Sequence, residues 1–287
     1  MSAASMKCAL LGFPGSKWRI MARFESLFPA HYHYVSVFGG SATDLLYKQP
    51  SDIETYNDID QTLHEFFKLL QNRHKFEQLA DKIEYTPYSY QVFCGALKIL
   101  KRRYSPALER AWAFFVAASQ GNCTAHPCLL TPAQFSLQKR GRNGRINTRS
   151  LTPRPAYMKH RWANRMKRLY WAHHRLQGVR LLNCDWWDVI RECDDPNTFF
   201  YLDPPYLTRT DTRFYLHHFT EADHEELLDV LQFEVQGKVF VCGYDSDLYK
   251  ERLKDWHHCT FETVSTLCVN GKSRRKRVEH VWTNYTP

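Results

Sequence analysis

Tyr34-Val35-Ser36-Val37-Phe38 is a short apolar run that stops at Gly39-Gly40-Ser41-Ala42. This pattern predicts a buried strand closed by a tight turn, with a helix through Leu45 and Leu46 after it. Ile53-Glu54-Thr55-Tyr56-Asn57-Asp58 predicts a second strand that ends on an acid. From about residue 60 the spacing becomes helical, with Leu63, Phe66, Phe67 and Leu70, and later Ala111, Phe114, Phe115 and Ala118. Residues 120–156 carry no periodicity and are rich in Gly, Pro, Asn and Arg. Lys159 to Arg175 again reads as a helix, with Trp162, Met166, Leu169 and Tyr170 on one side and basic residues around the rest. Strand patterns return at Val179 to Leu182, leading to Cys184-Asp185, and at Thr198 to Leu202, leading to Asp203. Lys238 to Cys242 follows a helix over 221–233, and two further strands are predicted at Cys259 to Leu267 and Val278 to Thr283.

Strand, Gly-rich turn, helix and a strand with a terminal carboxylate form the first half of a doubly wound α/β domain. The expected architecture is a Rossmann-like α/β catalytic domain built from both ends of the chain, residues 1–64 and 179–287. A mainly helical domain, residues 65–178, is inserted between them.

Hydrophobic content of 44% and aromatic content of 15% indicate a folded protein. No apolar run approaches the ~20 residues that span a bilayer. The first residues run from a short apolar stretch straight into a Gly-Pro-Gly-like turn, a poor signal peptide. Nine irregularly spaced cysteines fit reduced thiols in a cytoplasm better than a disulfide framework. Cys123, His126 and Cys128 are close in sequence, but no second pair stands at ligand spacing, so no metal is expected.

Charge changes the picture most. The 75 residues from 110 to 184 contain no Asp or Glu and carry 14 Lys and Arg, against a net charge of +9 for the whole chain. A segregation of this kind predicts one electropositive surface facing a polyanion.

The candidate chemistry lies at Asp203-Pro204-Pro205-Tyr206. Ligands of open α/β sheets bind outside the carboxyl ends of the strands, which puts Asp203 in a cleft. Two prolines restrict the backbone and fix the direction of its carbonyls. A carboxylate and a rigid carbonyl together accept both hydrogens of an exocyclic amine, and Tyr206 supplies a flat face for an extruded base. An aromatic amine is a poor nucleophile because its lone pair is delocalised. Two acceptors on its hydrogens favour a tetrahedral nitrogen aimed at an electrophile, so positioning matters more than acid–base chemistry.

With these residues in order, the chain resembles the Dam-like, DPPY-type DNA adenine N6-methyltransferases. Phe13-Pro14-Gly15-Ser16-Lys17 is similar to the family's N-terminal segment at the S-adenosylmethionine pocket, and Phe38-Gly39-Gly40-Ser41-Ala42 to its glycine-rich cofactor loop. Asp58, followed by Ile59, matches the acid that binds the ribose hydroxyls, and Asp185-Trp186 resembles the pair near the cofactor adenine. Phe214 to Phe219 and Val269 to Arg275 resemble family segments after the catalytic loop and before the last strand. The resemblance implies a class I S-adenosylmethionine-dependent methyltransferase fold with an inserted target-recognition domain. It also implies methyl transfer to the N6 amine of a flipped adenine in duplex DNA, with catalytic Asp203, Pro204, Pro205 and Tyr206, and with Asp203 also touching the cofactor. Where the family carries its Asn-Arg-x-Gly stretch, this chain reads Ala117 to Thr124, so the usual GATC target does not carry over.

The expected DNA contacts divide by position. Lys139, Arg140, Arg142, Arg145 and Arg149 lie in a Gly/Asn-punctuated loop suited to a groove. Lys159, Arg161, Arg165, Lys167 and Arg168 are expected at phosphates, as are Lys272, Arg274 and Arg275. The competing readings are the same chemistry on RNA or a protein amide, and an inactive nucleic-acid-binding relative. No obligate protein partner is evident.

Overall fold

Strand β1 (His33–Ser36) alternates Tyr34 and Ser36 on one face with Val35 on the other. Its neighbours in register repeat the alternation with larger side chains. In β4 (Thr198–Leu202) Phe199 and Tyr201 share the Tyr34 face, and Phe200 and Leu202 share the Val35 face. In β5 (Lys238–Gly243) Phe240 joins the first set, and Val239 and Val241 the second. Every residue of β4 is buried, as expected of a strand covered on both faces of a parallel sheet.

The computed structural model describes residues 9–122, 125–135, 155–207, 216–217, 219–264 and 276–287, with side chains left out at 155–161, 264 and 276. Among these, the elements preceding β4 are α1 (Met21–Glu25), β1, α2 (Thr43–Tyr47), β2 (Ile53–Asn57), α3 (Gln61–Gln71), α4 (Arg73–Glu84), α5 (Tyr90–Leu100), α6 (Ala107–Gln120), α7 (Pro155–Arg175), β3 (Arg180–Leu182) and α8 (Trp186–Cys193). After β4 come α9 (Glu221–Phe233), β5, α10 (Asp247–Arg252), β6 (His257–Val264) and β7 (Lys276–Thr283). No helix among the described residues is long and apolar enough to cross a membrane.

The described chain divides into two units, 17–64 with 178–287, and 9–16 with 65–177. The first holds one seven-stranded sheet in the order β3-β2-β1-β4-β5-β7-β6. Strands β3, β2, β1, β4 and β5 are parallel, and β7 is antiparallel to both of its neighbours, β5 and β6. The order reverses between β1 and β4, which is where open α/β sheets bind ligands.

Aromatic rings fill one side of the sheet. Phe24 packs on Phe240 and Phe261, Phe28 on Phe199 and Phe240, and Tyr201 stacks on Phe240 at 5.4 Å. The other side is a second core, in which Val35, Phe200, Leu202, Val239 and Val241 meet Val189 and Ile190 of α8 and Leu227, Leu228 and Leu231 of α9. Helix α9 starts with a reciprocal capping box between Thr220 and Asp223, which satisfies backbone donors at its first turn.

The second unit is helical. Helix α6 is buried from Ala113 to Gln120, which makes it the helix its neighbours surround. Asn72 caps α4 and Ser89 caps α5 by accepting backbone N–H groups of Lys75 and Val92. His173 of α7 stacks on Phe76 of α4 at 4.1 Å and hydrogen-bonds the Leu70 carbonyl, and Trp162 donates to the Ile83 carbonyl.

Candidate active site

The residues expected to form the cofactor loop follow β1 directly. Phe38 packs edge-on against Phe219 at 5.4 Å, and Gly39 donates its N–H to the Asn57 carbonyl. A Cβ on Gly39 would stand 2.1 Å from Tyr56 Cε2, so only glycine fits against that buried ring. Gly40 has φ +49° and Ala42 φ +52°, both left-handed. Tyr56 donates its hydroxyl to the Gly40 carbonyl at 2.8 Å, and Ser41 is bonded to Thr43 through their hydroxyls.

Asp58 closes this turn from β2. Its carboxylate accepts the N–H groups of Gly40 at 2.7 Å and Asp60 at 2.8 Å. Ile59 beside it is 46% exposed, a large apolar side chain presented to solvent next to a fixed carboxylate. Asn57 ties three strand ends together: its amide donates to the carbonyls of Val37 and Cys184, and its oxygen accepts the Cys184 N–H. Asn183 donates to the Asp58 carbonyl. Asp185 is exposed, caps α8 and accepts the Trp187 N–H at 3.0 Å.

Trp186 opens α8 directly after Asp185. Its side chain is buried in the core formed with Val189 and Ile190, which leaves Asp185 as the exposed member of that pair.

Asp203 leaves the end of β4 partly exposed, its side chain at 19%. Lys17, itself buried, places Nζ 3.0 Å from Asp203 Oδ1 and 3.9 Å from Glu279 Oε2. The same ammonium lies 4.5 Å from the centre of the Tyr206 ring. Tyr206 donates its hydroxyl to Glu279 Oε2 at 2.9 Å and packs against Tyr244 at 4.4 Å, nearly perpendicular. Burial, and then the negative Asp203, push the Tyr206 phenol well up from its ordinary value, so it stays a donor to Glu279. Pro204 is buried and Pro205 partly so. Beneath the loop, His224 is bonded through Nδ1 to the Tyr249 hydroxyl at 2.9 Å. Burial pulls the His224 pKa down to about 4, against a smaller opposing effect of the Pro205 backbone.

Asn57, Tyr56, Glu279 and Tyr244 were not singled out from sequence as site residues. Each acts through a partner at the far end of another strand, and no local spacing signals such a contact.

Phe13, Pro14 and Gly15 group with the helical unit, and Lys17 with the sheet. Phe13 meets His126 edge-on at 5.3 Å, and Gly15 has φ +76°. Of the expected DNA contacts, Lys139, Arg140, Arg142, Arg145, Arg149, Lys272, Arg274 and Arg275 lie outside the described residues, as do the side chains of Lys159 and Arg161. Phe214, Tyr215 and the segment from Val269 to Arg275 lie outside them too. Lys167 is exposed, and Arg168 donates to the Ala9 carbonyl at 3.0 Å. Arg165 corrects the sequence reading. Its side chain is buried in α7 and donates to Ser119 Oγ at 3.0 Å, so it supports helix packing and is not presented to a phosphate.

Residues 136–267, which include the whole Asp203–Tyr206 loop, match the family model for D12 class N6 adenine-specific DNA methyltransferase. No curated protein matches the chain. The matched segment spans less than half of the chain and is similar to the D12 class of N6 adenine-specific DNA methyltransferases, and the sheet order and the loop at the end of β4 agree with that likeness.

Proposed function

We propose that the chain transfers a methyl group from S-adenosylmethionine to the N6 amine of an adenine flipped out of duplex DNA, with Asp203, Pro204, Pro205 and Tyr206 as the catalytic loop. The observation that carries this reading is Asp203 at the end of the fully buried β4, fixed by Lys17 and placed beside a tethered Tyr206. The cofactor residues suit such a donor chemically. The Asp58 carboxylate, oriented by two backbone amides, suits a ribose diol, exposed Ile59 offers an apolar surface to a flat base, and the Lys17 ammonium suits a carboxylate. Phe38, Gly39, Gly40, Ser41 and Ala42 form the adjoining turn, and Asp185 stands at the end of the neighbouring strand β3.

When bound, S-adenosylmethionine supplies an electrophilic methyl on a sulfonium. Asp203, with one oxygen bonded to Lys17, accepts one hydrogen of the adenine amine through its carboxylate, and a backbone carbonyl of the proline pair accepts the other. Held by these two acceptors, the amine nitrogen would keep its lone pair aimed at that methyl, and its proton would pass to solvent as the methyl is accepted. Tyr206 stacks on the extruded ring. The basic stretch from 110 to 184 faces the DNA, with Lys139, Arg140, Arg142, Arg145 and Arg149 in a groove and Lys159, Arg161, Lys167 and Arg168 on the phosphates, joined there by Lys272, Arg274 and Arg275 from outside the stretch. The work is cytoplasmic, where DNA and reduced thiols coexist.

Asp203→Ala should abolish methyl transfer and leave salt-sensitive DNA binding largely intact, measured by filter binding on the same preparation. Loss of both together would make Asp203 a structural residue and end this reading of the loop.

A further inference from the structure

Strand β7 runs antiparallel to β5, so its first half enters the sheet at the carboxyl ends of the parallel strands. The pair Gly243↔His280 is the end of that ladder, and Glu279 is the next residue of β7. By alternation Glu279 faces away from Trp282, which is packed in the core with α8 and α9. Its cross-strand partner Phe261 packs on Phe24, which puts Glu279 on the α1 side of the sheet with Lys17.

The Glu279 side chain is only 9% exposed, and a carboxylate taken out of water needs compensation. Its partners are both residues of the catalytic loop's surroundings: the Tyr206 hydroxyl at 2.9 Å and the Lys17 ammonium at 3.9 Å. Lys17 in turn is bonded to Asp203 at 3.0 Å. Tyr206 is held from a further direction by Tyr244, whose hydroxyl accepts from Arg277 Nη1 at 2.9 Å. Glu279 therefore joins the aromatic ring and the acceptor carboxylate of the loop in one connected network. Folding alone would be served at lower desolvation cost by an apolar side chain at this position.

We propose that Glu279 is a positioning residue for methyl transfer: it fixes the Tyr206 ring through its hydroxyl and shares Lys17 with Asp203, so that ring and carboxylate keep one relative geometry. This rests on the reading of Asp203 and Tyr206 given above. A hydrogen bond to a charged acceptor is among the stronger ones, so its loss should show in the rate of the chemical step and not in cofactor affinity.

The test compares the full-length wild type with Glu279→Ala, Glu279→Gln, Tyr206→Phe, the double variant Glu279→Ala/Tyr206→Phe, and Asp203→Ala. The substrate is genomic DNA from a strain without adenine methylation, with methyl-labelled S-adenosylmethionine. Glu279→Ala should lower kcat by ~10-fold or more, with KM for DNA and calorimetric Kd for S-adenosylmethionine changed by less than about threefold. Glu279→Gln keeps an acceptor for the phenol and should recover part of that loss. In the Tyr206→Phe background, Glu279→Ala should cost clearly less than in the wild type, because the hydroxyl is already gone and only the shared Lys17 contact is left to lose. Equal losses in both backgrounds, or a Gln variant no better than Ala, would overturn the proposal. If Glu279→Ala does not fold, Tyr206→Phe decides alone: a kcat at the wild-type value overturns the proposal, and a reduced kcat with intact cofactor binding supports it. Asp203→Ala separates the two claims. Activity in that variant would bring down the reading of the loop itself, whatever Glu279 does.

Discussion

Gly39 shows how closely single atoms are specified around the cofactor turn. The ring that a new Cβ would strike belongs to Tyr56, which is fully buried and tethered to the Gly40 carbonyl, so it has nowhere to move. Gly39→Ala should therefore destabilise the protein by about 2–3 kcal/mol, at the upper end of overpacking costs, and weaken cofactor binding with it. Chemical denaturation and calorimetry check both, and an unchanged midpoint would mean the turn is not rigid. The glycine itself was legible in the sequence as half of a Gly-Gly turn, and Asp58 and Asp203 were legible as acids ending apolar runs. The reason for the glycine was not, because Tyr56 reads locally as one more strand residue. Asn57, which laces the ends of β1, β2 and β3, was hidden in the same way. Arg165 shows the converse error, since charge along a helix reports composition and not which arginines face inward.

The strands were read well at the scale of elements because parallel strands buried on both faces are continuous apolar runs, as β4 and β5 are. Helices α1, α8 and α10 were not seen. They have five, eight and six residues, too few turns for a periodic pattern to rise above chance. Helix α9, predicted over 221–233, runs Glu221–Phe233 and brings His224 under the catalytic loop. His224 is buried neutral, with its pKa pulled from 6.5 to about 4, so the unfolded chain takes up a proton first as pH falls. The sign follows: its contribution is fully present above pH ~6.5 and is lost between there and about 4, where it amounts to about 3 kcal/mol. Wild type should lose stability over that window more steeply than His224→Gln, as thermal unfolding at stepped pH would show. Parallel curves would refute a buried neutral histidine at this position.

Charge separates the two halves of the task across the whole molecule. The 75 acid-free residues carry 14 basic ones, while the rest of the chain is net acidic. If six to ten of these reach phosphates, DNA affinity should fall by ~1,000-fold or more between about 50 and 200 mM salt. Neutralising Lys159, Arg161 and Lys167 should each reduce the slope of that dependence by about one counterion. A slope near zero in the wild type would mean that the basic stretch does not face DNA. On the proposed function, chemistry would rest on the loop after β4 and substrate choice on the stretch from 110 to 184.

The central claim is methylation of adenine in DNA by the Asp203–Tyr206 loop. Its most direct test incubates the protein with methyl-labelled S-adenosylmethionine and unmethylated duplex DNA, digests the DNA to nucleosides and separates them. The label should appear as N6-methyladenine, and should vanish with Asp203→Ala. Label confined to RNA or protein when these are offered instead, or to another nucleoside, would contradict the account.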